Sequence, residues 1–261
     1  MRAHYDRGKE LGRLVEPTGK LEFERTKEII LRQLPPPPAL VADIGGGPGR
    51  YALWLAELGY QVVHRDLMPL HVEQLRRAAR GNPRIQAAVG DARQLDMASD
   101  SADAVLLLGP LYHLDRRKDR LRVLAETNRV VRPGGPVFVA AISRWATRMD
   151  GILRLRLYET IPGADAGLAA IEQTGRLPPL RAGSFCGYTH RPGQLRTELA
   201  ASGLQVLDLV SVEGPAYLLD DLAERLADDE ARRVVLETAR ALERVPELLG
   251  IGPHLLATAR R

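Results

Sequence analysis

The stretch Asp43-Ile44-Gly45-Gly46-Gly47-Pro48-Gly49 carries four glycines in seven residues. A turn so poor in side chains lets backbone N–H groups, and the start of a following helix, approach a ligand closely. Counting from Gly45, the sixth position is Arg50, so the dinucleotide pattern G-x-G-x-x-G fails. The spacing is G-x-G-x-G, with Asp43 two residues ahead. Four further points carry chemistry. Asp66-Leu67 and Asp91-Ala92 offer carboxylates that accept hydrogen bonds from hydroxyls or amines. Gly109-Pro110-Leu111-Tyr112-His113 offers an imidazole whose ordinary pKa of about 6.5 lets it take a proton at neutral pH, with Tyr112 beside it. Tyr188-Thr189-His190 repeats the tyrosine and histidine pairing later in the chain, so His190 competes with His113 for the role of base. Each residue has a plain reading of its own. Asp66 suits a helix N-terminus ahead of Pro69, Asp91 suits a turn, and His113 can simply shape a pocket. Their joint spacing is what those readings leave unexplained.

These residues must be held by elements, and the hydrophobic pattern supplies them. The apolar run LVADI (40–44) reads as a buried parallel strand, and QVVHR (61–65), RIQAAV (84–89), DAVLLLG (103–109) and PVFVAAI (136–142) read as four more. Helices are expected at 48–58, from Pro69 to about residue 80, and at 116–131, with a tight turn at Arg132-Pro133-Gly134-Gly135. Strands alternating with helices specify an α/β, doubly wound parallel sheet, because parallel neighbours need right-handed crossovers. Ligands then sit beyond the carboxyl ends of the strands. Four parts follow: residues 1–38 as an N-terminal lid holding an amphipathic helix at 21–34 that ends at the prolines 35–38; the core at 39–142; a helical insertion at 143–190 covering the active face; and the rest of the core at 191–261, with a helix at 192–202, strands at 204–212 and 254–259, and extra helices at 216–245.

Here the chain resembles the class I S-adenosylmethionine-dependent methyltransferases, whose motif after the first strand is D-x-G-x-G-x-G. The resemblance covers about residues 39–142 and the two late strands, and it implies a Rossmann-like sheet of seven strands with the last one antiparallel. It implies S-adenosyl-L-methionine as cofactor, held by Asp43, Gly45, Gly46, Gly47 and Gly49. Asp66, with Leu67, would take the two ribose hydroxyls, Asp91 the adenine amine, and the Ala92 N–H a ring nitrogen. Leu108 closes the fourth strand, where this family places methyl transfer, so Tyr112 and His113 fall beside the reacting sulfonium. Tyr5, with His4, is expected to fold over the cofactor, and Tyr188 to touch substrate.

Methyl transfer from a sulfonium is a direct displacement, so the protein chiefly aligns the partners and excludes water. A base is needed only where the acceptor must lose a proton. The acceptor is narrowed by what is missing. The site reads Gly109-Pro110-Leu111-Tyr112, without the Asn/Asp/Ser-Pro-Pro-aromatic motif that the resemblance would require for a base amine. Cys186 is the one cysteine and lies outside the fourth-strand site, which excludes a disulfide framework and argues against C5 methylation of a base. No paired glutamates suggest protein arginine methylation. No metal site is expected, since the histidines lack a ligand grouping such as H-E-x-x-H. The net charge is +4, yet only four of the 37 basic residues are lysines, aromatics make up 5%, and acidic residues accompany the basic ones. A nucleic-acid surface needs a basic stripe with interleaved aromatics. The expectation is therefore O- or N-methylation of a small molecule, with an RNA methyltransferase and a non-catalytic cofactor-binding protein as alternatives. No apolar run reaches ~18 residues, so no membrane span is expected. A cytoplasmic setting is the default, and the apolar face of helix 21–34 leaves room for a homodimer.

Overall fold

The computed structural model describes residue 12, residues 14–179 and residues 186–261. Strand β1 (Leu40–Ile44) lies at the centre of the sheet, flanked by β2 (Gln61–Asp66) and β4 (Ala104–Leu107), both parallel to it. Beyond β2 comes β3 (Ile85–Val89), and beyond β4 comes β5 (Pro136–Ser143). The last strand, β9 (His254–Arg260), pairs antiparallel with β5 along Pro136–Ile142, and β8 (Gln205–Ser211) pairs antiparallel with β9. The seven expected strands are thus present in one sheet, with β9 as the reversed one. Two short strands add to them. The insertion returns to the sheet as β6 (Arg176–Leu177) and β7 (Gly187–His190), and β7 pairs with the end of β5 at Ile142 and Ser143. β5 therefore runs on past the expected strand end, because β7 supplies backbone partners there.

Alternate residues of each central strand face opposite layers. Ala42, Val105, Val137 and Val139 join a core cluster with Val123 and Leu124 of α4 (Arg117–Val130) and Leu195 and Leu199 of α8 (Pro192–Ala201). Val41, Leu106 and Phe138 face the other way, onto Tyr51 and Leu55 of α2 (Arg50–Glu57) and Leu75 of α3 (Pro69–Ala79). A sheet covered on both faces accounts for the near-continuous apolar runs of its strands.

The same second layer includes α1 (Pro17–Leu31). It begins four residues earlier than its periodicity suggests, with Pro17 in the first turn, where a missing N–H costs nothing. Ile29 and Ile30 enter the core, and the fully buried Arg25 donates to the Val212 carbonyl and to Glu243. This helix is a structural part of the sheet's outer layer. Of the residues expected to form a lid, Tyr5 and His4 lie outside the described residues. Within 143–190 the helices are short: α5 (Ala146–Met149), a π-turn at Asp150–Arg154, α6 (Leu157–Thr160) and α7 (Ala164–Thr174). The extra helical region holds a 3-10 turn (Gly214–Leu218), α9 (Leu222–Ala227) and α10 (Asp229–Leu242).

Candidate active site

The β1–α2 turn is built by exclusion of side chains. A methyl group on Gly46 would collide with the Asp43 carboxylate, and one on Gly45 with the Pro110 ring. Gly45 and Gly47 also take positive φ, at 66° and 58°. The backbone of 45–47 is therefore bare toward the cavity it lines. Gly49 serves packing instead: φ is 82° and an added methyl would strike Leu75. A glycine at 109 is needed for the same reason of close approach, since its Cβ would meet the Gly45 carbonyl. The glycine turn and the β4–α4 loop are thus pressed together, and the cleft opens above both.

One cavity gathers most of the residues singled out by sequence. Gly45, Gly46, Gly47, Asp66, Leu67, Asp91, Ala92, Leu108, Tyr112 and His113 all line it. Asp43 does not. It is fully buried beneath the turn, with Oδ2 3.0 Å from His64 Nδ1, so it braces the loop from below. His190 and Tyr188 do not line it either, and Tyr5 is outside the described residues. The placement of His190 corrects the expectation of a second base. It ends β7, is fully buried, and sits 3.2 Å from Glu198. Burial pushes its pKa down, against the opposing pull of Glu198. A histidine at the end of a strand points into one layer or the other, and here that layer is the sheet interior. Tyr188 is packed under Arg120, whose guanidinium lies 3.6 Å over the ring centre. No described residue of 143–190 lines the cavity, so the expected cover from that insertion is not found there. Leu14, ahead of α1, does line it.

Asp66 is the best-defined polar group of the cavity. Its Oδ1 accepts from the Met68 N–H at 2.8 Å and faces His71 Nδ1 at 3.0 Å, and its Oδ2 accepts from the Gly47 N–H at 2.9 Å. Burial raises its pKa, but the bonds from His71, Met68 and Gly47 outweigh this and hold it below the usual carboxylate range. A carboxylate has about four lone-pair positions. Three are used, so one acceptor position, on Oδ2, is left by the protein donors. Asp91 is differently placed. Both oxygens accept from Arg93, whose backbone N–H, Nε and Nη2 all donate to it. The Arg93 side chain chiefly holds the Asp91 pKa down. Any ligand amine at Asp91 would share the carboxylate with this arginine.

A 3-10 turn at Pro110–His113 carries Tyr112 and His113 on the cavity wall, their rings edge to face with centres 4.7 Å apart. The segment is pinned from behind. Arg120, 2% exposed, donates to the carbonyls of Leu114 and Asp115 and forks onto both oxygens of Glu198 at 2.9 and 2.7 Å. Arg93, His71, Arg50, Tyr51 and Met68 also line the cavity and were missed by sequence reasoning. Tyr51 and His71 stand in the first turns of the helices that follow the glycine turn and Asp66, which was a readable signal. Leu14 had none.

Among the described residues one group of potential metal ligands forms, Glu22, Glu213 and His254, with ligand atoms within 4.8 Å of one another. They stand up to 232 positions apart in the chain, so no spacing motif announces them. None lines the cavity, and a direct hydrogen bond of 2.5 Å from His254 Nδ1 to Glu213 accounts for their closeness.

The cleft fits an adenosyl sulfonium nucleoside: a side-chain-free turn for its amino-acid tail, an open acceptor position on a charged Asp66 for a ribose hydroxyl, and Asp91 with the Ala92 backbone for a purine edge. Comparison with known proteins agrees. Residues 42–139 match the family model described as a methyltransferase domain. An uncharacterized methyltransferase of Mycobacterium tuberculosis is 32% identical over 132 residues, which is 51% of this chain and 50% of that protein. A ubiquinone/menaquinone biosynthesis C-methyltransferase of Acidiphilium cryptum is 33% identical over 126 residues, 45% of this chain and 48% of that protein. The chain thus aligns with about half the length of these relatives. A crystal structure of a SAM-dependent methyltransferase from Methanosarcina mazei superposes with a TM-score of 0.60 at 18% identity, covering 89% of this chain and 96% of that one. Residues 42–139 thus match a methyltransferase domain, and the glycine turn, the carboxylate at the end of β2 and the sheet order agree with that match.

Proposed function

We propose that this protein transfers the methyl group of S-adenosylmethionine to an oxygen or nitrogen atom of a small molecule. The observation that carries this reading is a single cavity shared by the glycine turn, Asp66, Asp91, Tyr112 and His113. S-adenosylmethionine supplies an activated methyl group when bound. The chain's own residues then bind and orient it: the bare backbone of 45–47 leaves room for the tail, and the open lone pair of Asp66 takes a ribose hydroxyl. Asp91 and the Ala92 N–H would hold the purine edge, and Leu108 lines the same cavity.

His113 is the group on this wall that accepts a proton from an acceptor hydroxyl or ammonium, an imidazole being able to take up a proton near neutral pH. Tyr112 packs against it and orients the acceptor. Leu14, ahead of α1, covers one side of the cleft. Water exclusion is the remaining requirement of a displacement at sulfonium, and the apolar Leu14, Leu108, Pro110 and Leu114 around the cavity meet it. The small-molecule class is supported by the quinone-biosynthesis relative, whose name specifies carbon as the atom methylated. Carbon is accordingly the second reading for this chain.

The experiment is to incubate the protein with methyl-labelled donor and a whole-cell extract containing both small molecules and RNA, and to identify the labelled product. Label on oxygen or nitrogen of a small molecule supports the proposal. Label on carbon selects the second reading, label on RNA overturns both, and donor binding without transfer leaves a binding protein. His113→Gln is expected to lower kcat while leaving the affinity for S-adenosylhomocysteine near that of the wild type; an unchanged kcat removes His113 from the base role.

A further inference from the structure

A second, open cavity of about 710 Å³ lies on the far side of the 113–115 segment, lined by Asp115, Arg117, Lys118, Arg176, Tyr188 and Gln194 among others. His113 and Leu114 face the first cavity, and Asp115 faces this one. Its lining includes five cations, Arg116, Arg117, Lys118, Arg120 and Arg176, against the two carboxylates Asp115 and Glu198, a net +3. Arg120 and Glu198 neutralise each other in the floor. The other four cations stand on the exposed rim.

The cations of this rim are poorly paired. Some exposed arginines elsewhere sit in close ion pairs, among them Arg148 with Asp165 and Glu172, Arg233 with Glu230 and Glu237, and Arg244 with Asp208. On the rim, the ion pair found among the described residues is Arg117 with Glu198 at 3.9 Å, and Glu198 is already forked by Arg120. The floor is rigid, with Tyr188 clamped between Arg120 and Arg144. The Gln194 Oε1 is occupied by the Arg144 guanidinium and the Arg191 N–H, which leaves its amide N–H groups as the available ones. The fourteen-residue helix α4 starts at Arg117, so its dipole adds to the positive potential. Concentrated, poorly paired guanidinium groups above a rigid floor suit an anion of more than one charge, and the fork of arginine matches phosphate oxygens.

We propose that this cavity binds the phosphate moiety of a phosphorylated small molecule. The inference stands on the cavity alone and does not depend on the methyl-transfer reading. Pyrophosphate is the probe. Calorimetric titration of the full chain at low salt is expected to show saturable binding with a Kd on the order of 1 mM or tighter. The double variant Arg117→Glu/Arg176→Glu should weaken it at least about tenfold, as expected on reversing charges that face a bound anion. Both residues are exposed, so binding of S-adenosylhomocysteine should stay at the wild-type level and report an intact fold. Arg233→Glu, a charge reversal remote from the cavity, should leave pyrophosphate binding unchanged. Absence of saturation in the wild type overturns the proposal, as does equal loss in Arg233→Glu or no loss in the double variant. A single-stranded oligonucleotide that binds with steep salt dependence, where pyrophosphate does not, also overturns it and assigns the surface to nucleic acid.

Discussion

Asp66 and Glu198 are both buried carboxylates with a histidine close by, His71 at 3.0 Å and His190 at 3.2 Å. Asp66 lines the cavity, and three donors leave it one acceptor position facing outward. Glu198 receives both forks of Arg120 as well as His190, and its side chain is 5% exposed. The first pair is built to receive a ligand. The second closes on itself and ties β7 and α8 to the segment behind His113. A histidine beside a carboxylate is therefore no site in its own right. What decides is whether the pair keeps an unused donor or acceptor on a cavity wall, and that depends on how many neighbours reach it first.

The comparison breaks most visibly at Arg120. Arg120→Ala leaves the buried Glu198 with His190 and, at 3.9 Å, Arg117, and it is expected to cost about 3–5 kcal/mol, the range for removing one partner of a buried pair. Urea unfolding measures this; a loss below ~1 kcal/mol would show that Glu198 is hydrated after all. Acid titration comes next. The Glu198 pKa is lowered from 4.5 to about 2, burial being outweighed by His190 and Arg120. Its contribution is complete above the unfolded value and is lost as the pH falls from about 4.5 toward about 2. His190, whose pKa burial depresses, works in the same direction, because the unfolded chain takes up that proton first as the pH falls below about 6.5. Urea unfolding at neutral and acid pH should show a loss on the order of 2–3 kcal/mol that Glu198→Gln largely removes.

Asp66→Asn is a binding change with a smaller effect. It removes the charge that strengthens the ribose contact, and S-adenosylhomocysteine affinity should fall about tenfold to a hundredfold, the value of one charged hydrogen bond. Unchanged affinity would remove Asp66 from the site. The smallest effect sharpens the contrast between histidines. His190→Gln should lower stability but leave the pH profile of methyl transfer in place, whereas His113→Gln should abolish its acidic limb. A shifted profile in His190→Gln would reopen its role as base.

Much of this arrangement was legible beforehand. The strands of the core announced themselves because each is buried on both faces and so reads as a short apolar run. The glycine turn, Asp66 and Asp91 were legible because a turn residue or a strand end is local in sequence. The depth of Asp43 was not, although its neighbour Gly46 depends on it for lack of space. Nor was the capture of Asp91 by Arg93, two residues on, because an exposed arginine carries no sign of where it will bond. The insertion was expected over the cleft from its length alone, and its end went into the sheet as β7 because β5 had free backbone groups there.

From the order of residues alone came the alternation of strand and helix, the bare turn after the first strand and the carboxylates at the ends of the second and third. These are properties of neighbours along the chain, where local geometry and burial period act. Tertiary structure alone decided which histidine meets a cavity and which carboxylate keeps a lone pair free. Those outcomes depend on groups such as Arg120 and Glu198, 78 positions apart, that compete for the same hydrogen bonds only after the sheet has brought them together.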